Sequence, residues 1–374
     1  MAEPLKNRFG TDVPERIAQM ILAVSPGFPA SAFIRDALEG YEALDLMPRG
    51  RKIADALRRH LAPAYEAAVA TLVASLGPTA SVNAGAGMAP FLYLPHVCFV
   101  ERYGLDHFEA SMAAQHAMTQ RFTAEFSIRP FLVRHRDATL KRLAQWVRDD
   151  SPHVRRLVSE GTRPRLPWAP RLREFQQDPR PVLALLEHLK DDPEPYVRRS
   201  VANNLNDIGK DHPALLVDTA RRWLQDAGPE RRWLVSHALR SAIKRAEAGA
   251  LELMGAADTA QVAIGAIHIL PARPRIGDSV VIALAVTNIT DRRQRILADL
   301  RVHFIKASGK AAPKVFKLKT FELGPGETMS LRKRLSLAEM TTRRHYAGMH
   351  AVEVMLNGLP HPLGQFELVG DDVG

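Results

Sequence analysis

The spacing of apolar side chains predicts two architectures in succession. Up to about residue 255, apolar residues recur every three or four positions, as in Leu140, Leu143 and Val147, which is the period of an amphipathic helix. From about residue 265 the period shortens to two, as in "DSVVIALAVTN", which is typical of strands that bury one face. The pattern therefore predicts a helical domain followed by a β domain.

The predicted helices repeat. "DDSPHVRRLVSEG" and "DDPEPYVRRSVANN" align with Val154 on Val197, a spacing of 43 residues. "ERRWLVSHALRSAI" places Arg232 on Arg198 at a spacing of 34. Periods in this range predict HEAT-like helical pairs stacked into a solenoid, in which the concave face is usually the binding face. We expect this domain to cover residues 1–260.

The second region predicts a small β-sandwich. Alternation predicts that three strands bury Ile282, Leu284 and Val286, then Leu300, Val302 and Phe304, then Val352, Val354 and Leu356. Turns are expected at Gly324-Pro325-Gly326 and at Asn357-Gly358. Roughly seven short strands in about 105 residues indicate an antiparallel sandwich of immunoglobulin-like type over residues 266–374.

The formal net charge of +10 is concentrated in two blocks. Residues 129–173 carry +8 and residues 266–374 carry +6, so the rest of the chain carries −4. Clustered lysine and arginine gain affinity for a polyanion by releasing its counterions. We therefore expect a polyanion to contact both blocks; two solvated basic faces are the alternative.

Composition narrows the class further. A single cysteine, Cys98, excludes an internal disulfide framework and fits a reducing compartment. The sequence shows neither a signal peptide nor an apolar run long enough to span a membrane, so a bacterial-type cytosol is expected and a secreted adhesion module is disfavoured. The fourteen histidines are scattered, and we expect no metal site and no cofactor.

Carboxylates near the first basic block are candidates for chemistry. Glu160 precedes Gly161 at the C-terminal end of one repeat helix, and Asp207 lies at the corresponding end of the next. The negative end of the helix dipole disfavours an acid there by ~0.3–1 kcal/mol, so stability alone would favour lysine. If both ends face the groove, they form a cation-attracting site within a basic surface.

Two further residues join this set. Glu125, in "TAEFSIRPFL", is placed on an adjacent helix with Thr123 as its cap, and Trp168 lies in a proline-arginine loop, where its ring offers a π face to a cationic or unstacked base. Each candidate also has a purely structural interpretation: an ion pair of Glu125 with Arg129, an ion pair of Glu160 with Arg156, a turn hydrogen bond for Asp207, and cover of a core edge for Trp168.

The blocks "TAEFSIRPFL", "SPHVRRLVSEGTRPRLPWA", "VRRSVANNLNDIGKDHP" and "RRWLVSHALRSAIKR" occur in this order. Together they resemble the AlkC branch of the HEAT-like AlkD/AlkC DNA alkylation repair glycosylases, one group of which carries an immunoglobulin-like tail. The resemblance covers about residues 80–255. It implies a monofunctional DNA glycosylase, a hydrolase that removes cationic 3-methyladenine and 3-methylcytosine from double-stranded DNA. It also implies a bent duplex whose lesion is not fully flipped into a deep pocket.

Carried over position by position, the resemblance implies catalytic roles for Glu125, Glu160, Asp207 and Trp168. A base methylated at N3 is already cationic and leaves as a neutral molecule without a general acid. The protein must then supply negative charge where the sugar becomes oxocarbenium-like, and a positioned water. Glu160 and Asp207 are assigned to this stabilisation, Glu125 to a third charge, and Trp168 to stacking beside the lesion.

The expected phosphate ligands lie in both domains. They are Arg155, Arg198, Arg232 and Lys244 in the repeats, and Arg292, Arg293 and Arg295 in a turn of the tail. A non-catalytic HEAT scaffold that binds nucleic acid or an acidic partner is the alternative function. A monomer is expected, because a solenoid that wraps DNA needs no symmetry. The preferred lesion, the role of residues 1–80 and the need for the tail stay open.

Overall fold

The computed structural model describes residues 5–81, 89–256, 259–339 and 344–370. Helices come first and antiparallel sheets follow, which confirms the predicted order of a HEAT-like helical region and a small β-sandwich. The described residues group into two compact units, one running up to residue 212 and including 226–238, the other formed by 213–225 and the chain from 239 onward. The predicted domain limits, 1–260 and 266–374, stay a prediction.

The first unit is helical. Its helices are α1 (Asp12–Leu22), α2 (Ala30–Leu38), α3 (Leu46–His60), α4 (Tyr65–Ala74), α5 (Leu94–Tyr103), α6 (Phe108–Thr119), α7 (Ile128–Arg134), α8 (Arg136–Trp146), α9 (Pro152–Gly161), α10 (Arg173–Gln177), α11 (Arg180–Leu189) and α12 (Pro195–Ile208). Short 3-10 turns cover Leu5–Arg8, Tyr41–Ala43 and Ala89–Tyr93. Helices α9 and α12 pack directly against each other, and α11 packs against both.

The predicted repeat is confirmed at the level of whole helices. Helices α9, α12 and α14 (Pro229–Lys244) begin on Pro152, Pro195 and Pro229, at spacings of 43 and 34 residues. Proline suits the first helical position because its missing N–H would have no partner there. The apolar residues spaced three or four apart along these helices are buried: Val154, Leu157 and Val158 in α9, and Val197, Val201 and Leu205 in α12.

The second unit contains two further helices and the sandwich. Helices α13 (Pro213–Leu224) and α15 (Ala248–Leu253) pack against each other. The strands are β1 (Val262–Leu270), β2 (Ser279–Asn288), β3 (Gln294–Ile305), β4 (Ala311–Leu323), β5 (Thr328–Ser336), β6 (Gly348–Leu356) and β7 (Leu359–Leu368). One sheet has the order β1-β2-β5 and the other β4-β3-β6-β7, with all neighbours antiparallel.

The sandwich core forms from the alternation seen in the sequence. All nine predicted inward residues of β2, β3 and β6 are buried. The β6–β7 turn has Asn357 at φ 48° and Gly358 at φ 84°. Both angles are needed for the tight hairpin turn that asparagine-glycine favours. Asn357 Oδ1 also accepts a hydrogen bond from the backbone N–H of Leu297 at 2.8 Å, which ties the turn to β3.

Candidate active site

Two helix ends and one turn bring the three predicted carboxylates together. Glu160 lies in the last turn of α9 and Asp207 in the last turn of α12, as predicted. Glu125 does not lie on a helix: it occupies the turn before α7, so that part of the prediction is wrong. The reason is local, since the Thr123 hydroxyl donates to Glu125 Oε2 at 2.8 Å and accepts from the Glu125 N–H at 3.3 Å, which closes a turn instead of capping a helix.

Gly161 allows the end of α9 to lie close to the turn that carries Glu125. Gly161 ends α9 and lies directly against Ile128 at the start of α7. A Cβ built on Gly161 would come within 2.5 Å of Ile128 Cγ2, closer than side-chain atoms tolerate. The residue after Glu160 therefore sets how near α9 comes to the turn that carries Glu125.

Arg163 joins two of the carboxylates and was not singled out from the sequence. Its Nη1 donates to Glu160 Oε1 at 2.6 Å and its Nε donates to Asp207 Oδ2 at 2.8 Å. Lys210 Nζ donates to the other oxygen of Asp207 at 2.8 Å. Arg163 lies three residues past Glu160 in the loop after α9, and this loop position is why helical periodicity gave no signal for it.

Arg156 joins Glu125 to Glu160. Its Nη1 lies 3.0 Å from Glu125 Oε2 and its Nη2 lies 3.8 Å from Glu160 Oε1. The guanidinium carbon also lies 5.0 Å from the centroid of the Tyr196 ring, within cation–π range. The structural interpretation of Glu160 as a partner of Arg156 is thus borne out, but as a long contact beside the shorter one to Arg163.

The ion pairs keep Glu160 charged despite its burial. Burial alone raises the pKa of this carboxyl, but Arg156, Arg163 and the hydroxyl of Ser200 more than offset it, so its pKa lies below the ordinary value. The Ser200 hydroxyl donates to Glu160 Oε2 at 2.5 Å. In turn, burial lowers the pKa of Arg156, and the nearby Glu125 and Glu160 reverse this and raise it. Glu160 and Arg156 are therefore a pair of largely buried side chains whose opposite charges stabilise each other.

The cluster borders a cleft of about 480 Å³. Its walls are mostly apolar or aromatic and include Phe91, Phe122, Phe126, Leu166 and Tyr196, while Glu125, Arg156, Glu160 and Arg163 supply the charge. Asp207 is not among the cleft residues: it is only 1% exposed and lies behind Arg163. The structure thus places Glu125 and Glu160 on the cleft, whereas Asp207 contacts Arg163 from behind.

Trp168 stands at the cleft with its ring largely exposed. It is 66% exposed and its φ is 64°, in the left-handed region that a bulky residue rarely adopts. Cover of a core edge, the structural interpretation, is therefore wrong. Strain of this kind costs about 1–3 kcal/mol and persists only where the surroundings impose it.

Arg129 imposes the path of this loop. The expected pair of Arg129 with Glu125 is replaced by hydrogen bonds to main-chain carbonyls. Nη1 donates to the carbonyls of Gly161 at 3.1 Å and Arg163 at 2.8 Å, and Nη2 and Nε donate to that of Pro170 at 2.5 and 3.2 Å. Burial lowers the pKa of Arg129 to about 10. One buried guanidinium thus fixes both ends of the loop that carries Trp168.

The first arginine of the two V-R-R copies, and Arg232 at the aligned position of the third copy, donate hydrogen bonds to the turn before their own helix. Arg155 forms a two-point pair with Asp192 at 2.6 and 3.1 Å and also donates to the carbonyls of Asp149 and Asp150. Arg198 donates to the carbonyls of Asp192 and Pro193, and the exposed Arg232 donates to that of Ala227. These bonds reach back five or six residues to the turn before each helix. They use most of the donors of Arg155, which leaves it poorly suited to phosphate.

The other predicted DNA-binding residues lie on the surface of the second unit. Lys244 is exposed near the end of α14, and Arg292 and Arg293 are exposed in the β2–β3 turn. Arg295 is exposed too but lies within β3 rather than in the turn. The three arginines line a cavity of about 380 Å³ together with Gly255, Ala256, Gln294 and Asn357. The role of all four cations stays a prediction.

The described residues contain neither of two further kinds of feature, a metal-binding cluster or a membrane-spanning helix. No group of three or more histidine, cysteine, aspartate or glutamate side chains with metal-binding geometry occurs among the residues that the structure describes. Within the same parts of the chain, none of the helices combines the length and apolar character needed to cross a membrane.

Comparisons with known proteins agree with the fold. A family model described as "DNA alkylation repair enzyme" matches residues 109–254, and the model "Uncharacterised protein YhaZ, C-terminal Ig-like domain" matches residues 263–370. The uncharacterized protein YhaZ of Bacillus subtilis (strain 168) is 34% identical over 355 residues, which cover 95% of this chain and 96% of YhaZ.

A solved structure matches nearly the whole chain. The alkylpurine DNA glycosylase AlkC of Pseudomonas fluorescens, bound to DNA containing an abasic site analog, is 37% identical with a TM-score of 0.91, over 98% of this chain and 100% of that one. The helical region that matches the DNA alkylation repair model, followed by the immunoglobulin-like domain, places the chain in a class of DNA alkylation repair proteins. The chain belongs to the AlkC branch of this family.

Proposed function

We propose that this chain is a DNA N-glycosylase that hydrolyses the N-glycosidic bond of cationic N3-alkylated bases, such as 3-methyladenine and 3-methylcytosine, in double-stranded DNA. One observation carries the proposal: Glu125 and Glu160 line a cleft of about 480 Å³ beside the exposed Trp168. The chain that holds them is 37% identical to an alkylpurine DNA glycosylase.

The chemistry follows from the charge of the substrate. An N3-methylated base carries a positive charge and departs as a neutral molecule, so no acid has to protonate it. As the bond breaks, positive charge moves to the deoxyribose. Preorganised carboxylates aimed at that charge lower the barrier. By analogy with a lost oxyanion-hole donor, one such group contributes about 3–4 kcal/mol, or a few hundredfold in rate.

A monofunctional hydrolase fits the side chains at the cleft. A bifunctional enzyme that also cleaves the sugar-phosphate backbone needs an amine to form a Schiff base with the sugar. The cleft-lining residues within the described part of the chain include no lysine. Water is then the acceptor, and an abasic site is the product.

The roles proposed for the four predicted residues follow from their positions relative to the cleft. Glu125 and Glu160 face the cleft and act directly on the sugar cation and the attacking water. Asp207 acts through Arg163, which it holds against Glu160, and direct contact with the substrate would require Arg163 to move. Trp168 stacks beside the cationic base, which contributes ~0.5–2 kcal/mol through cation–π attraction.

Phosphate contacts are proposed for the exposed cations. Arg232, Lys244, Arg292, Arg293 and Arg295 keep this role, because their side chains are exposed. Arg155 does not, because most of its donors are engaged within the fold. Arg198 is half-buried and gives Nη1 to two carbonyls, so it is a weaker candidate than the exposed cations. A monomer in a bacterial cytosol stays the expectation for the assembly and the location.

The test is base release from duplex DNA methylated at N3, followed by hot alkali to break abasic sites. Wild-type protein is expected to produce strand breaks, and Glu160→Gln is expected to reduce them by a few hundredfold. Glu109→Gln, which changes an acid of α6 whose side chain is 76% exposed, is the control for a neutral substitution in the same unit. Absence of breaks with the wild type would refute the proposal.

A non-catalytic scaffold is the second candidate, and one observation favours it. Every carboxylate of the cluster is already paired with an arginine or lysine, which is also how a structural polar core is built. In that case the protein would bind methylated and unmodified duplexes equally and release no base from either.

A further inference from the structure

Arg156 is held less tightly in the cluster than Arg163. Its close partner is Glu125 at 3.0 Å, while Glu160 lies at 3.8 Å and the Thr123 hydroxyl at 3.4 Å. Its side chain is 19% exposed and lines the cleft. Arg163, by contrast, is fixed between two carboxylates at 2.6 and 2.8 Å. Of the two arginines, Arg156 is therefore the one whose departure disturbs the cluster less.

The carboxylates would keep other partners after such a departure. Glu160 retains Arg163 and the Ser200 hydroxyl, and Glu125 retains the Thr123 hydroxyl and its turn. One positive charge would be missing, between two acids at the edge of the cleft. The vacated space would also be bordered by the Tyr196 ring, whose centroid now lies 5.0 Å from the guanidinium carbon.

A guanidinium and an N3-methylated base share the properties that this position selects. Both are flat, both spread one positive charge over a conjugated system, and both stack on aromatic rings. We propose that Arg156 occupies, in the free protein, the place that the cationic base takes in the complex, and that it swings out of the cleft before excision. This inference rests on the proposed glycosylase function and adds a determinant of specificity to it.

Selectivity for charge follows from the exchange. A cationic base replaces the charge of Arg156 and leaves Glu125 and Glu160 compensated. A neutral base cannot do so, because displacing Arg156 would leave the poorly solvated Glu125 without its ion-pair partner and Glu160 with Arg163 alone. The site thus rejects undamaged bases through the cost of removing Arg156, in addition to any steric fit.

The experiment refills the vacated place with a free cation. Arg156→Ala is assayed for release of 3-methyladenine with and without methylguanidinium chloride at concentrations far below denaturing ones. The variant is expected to release base on its own, and methylguanidinium is expected to inhibit it by roughly tenfold or more, competitively with DNA. Wild-type protein should be unaffected, because its own guanidinium already occupies the place.

Activation of Arg156→Ala by methylguanidinium, instead of inhibition, would overturn the inference. If methylguanidinium restores activity to an impaired Arg156→Ala, then Arg156 is a cation that the reaction needs; if it changes nothing, the place does not accept a planar cation. Arg199→Ala is the matched control. Arg199 is the equivalent residue of the next repeat and is exposed, and its substitution removes the same charge. It should show no response to methylguanidinium.

A second variant covers the case in which Arg156→Ala fails to fold. Arg156→Gln keeps most of the side-chain volume, and it is compared with the wild type for binding of duplexes that carry neutral 3-methyl-3-deazaadenine or an unmodified adenine. Binding of the neutral isostere should improve by roughly tenfold relative to the wild type, and an unchanged preference would refute the inference. Failure of the wild type to release any base would instead refute the proposed function.

Discussion

At the scale of single residues, Arg163 is the side chain on which the cluster depends most. Nη1 and Nε point to Glu160 and Asp207 at the same time, a geometry that the single ammonium group of lysine does not reproduce. Arg163→Lys is therefore expected to lose one charge-assisted hydrogen bond, about 1.5–3 kcal/mol, and to slow base release roughly 10- to 100-fold. Single-turnover rates at saturating DNA would measure this.

The same substitution should leave DNA binding nearly unchanged, which fluorescence anisotropy with an abasic duplex would check. A loss of binding as large as the loss of rate would show that Arg163 holds DNA and does not organise the carboxylates. Lys210→Arg offers the comparison, since Lys210 donates to the outer oxygen of Asp207 and its side chain is 36% exposed.

The depressed pKa of Glu160 predicts a pH dependence of stability. Because the folded-state pKa lies below the unfolded value near 4.5, the ionised carboxylate contributes stability that is fully present above that value. This contribution is lost as the pH falls through the lower, folded pKa. Urea unfolding between about pH 6 and pH 3 should show a steeper acid loss for the wild type than for Glu160→Gln. Equal slopes would mean that the pairs do not hold the carboxylate ionised.

Residue by residue, the sequence predicts the acids better than their partners. Glu160 stands immediately before Gly161 and Asp207 two residues before Gly209, both at helix ends, where an acid is disfavoured by the helix dipole and is therefore noticeable in the sequence. Arg163 lies in a loop, where neither the helix dipole nor an apolar period makes a charged residue noticeable in the sequence. Glu125 was misplaced on a helix because the Thr123 hydroxyl serves equally well as a cap or as the closure of a turn, and only the fold decides between them.

At the scale of elements, the V-R-R repeat shows that a recurring cation can serve the backbone. The arginine at the aligned position of each copy reaches back to the turn before its own helix, and Arg155 also pairs with the buried Asp192. Periodicity alone could not separate this role from phosphate binding, because both favour arginine at the same face of every repeat. The hydrogen-bond partners of each guanidinium make the distinction.

A substitution separates the two roles of Arg155. Arg155→Met leaves Asp192 buried without its partner and is expected to lower the free energy of unfolding by about 3–5 kcal/mol. Urea denaturation would measure the decrease, with the exposed Arg199→Met as control. If the affinity for DNA fell instead while stability held, Arg155 would be a phosphate ligand after all.

At the scale of the whole molecule, the change of period near residue 260 predicted both architectures correctly. A solenoid and a sandwich each bury one face of regular elements, so the pattern of apolar residues carries their signal. Functional surfaces carry no comparable signal, because exposed cations are tolerated at many positions. The net charge of +10 therefore indicates a polyanionic partner without saying which side chains meet it.

The tail arginines give that question a quantitative test. Replacing Arg292, Arg293 and Arg295 by serine should reduce the slope of log affinity against log salt by up to about 0.9 for each phosphate that the variant no longer neutralises. Affinity should fall equally for methylated and unmodified duplexes, because binding to phosphates carries no information about the base. Replacing Lys306 and Lys310, in the turn at the other end of β3, is the control for removing positive charge from the same domain. An unchanged slope in the arginine variant, or a decrease confined to methylated DNA, would remove this surface from the DNA-binding assignment.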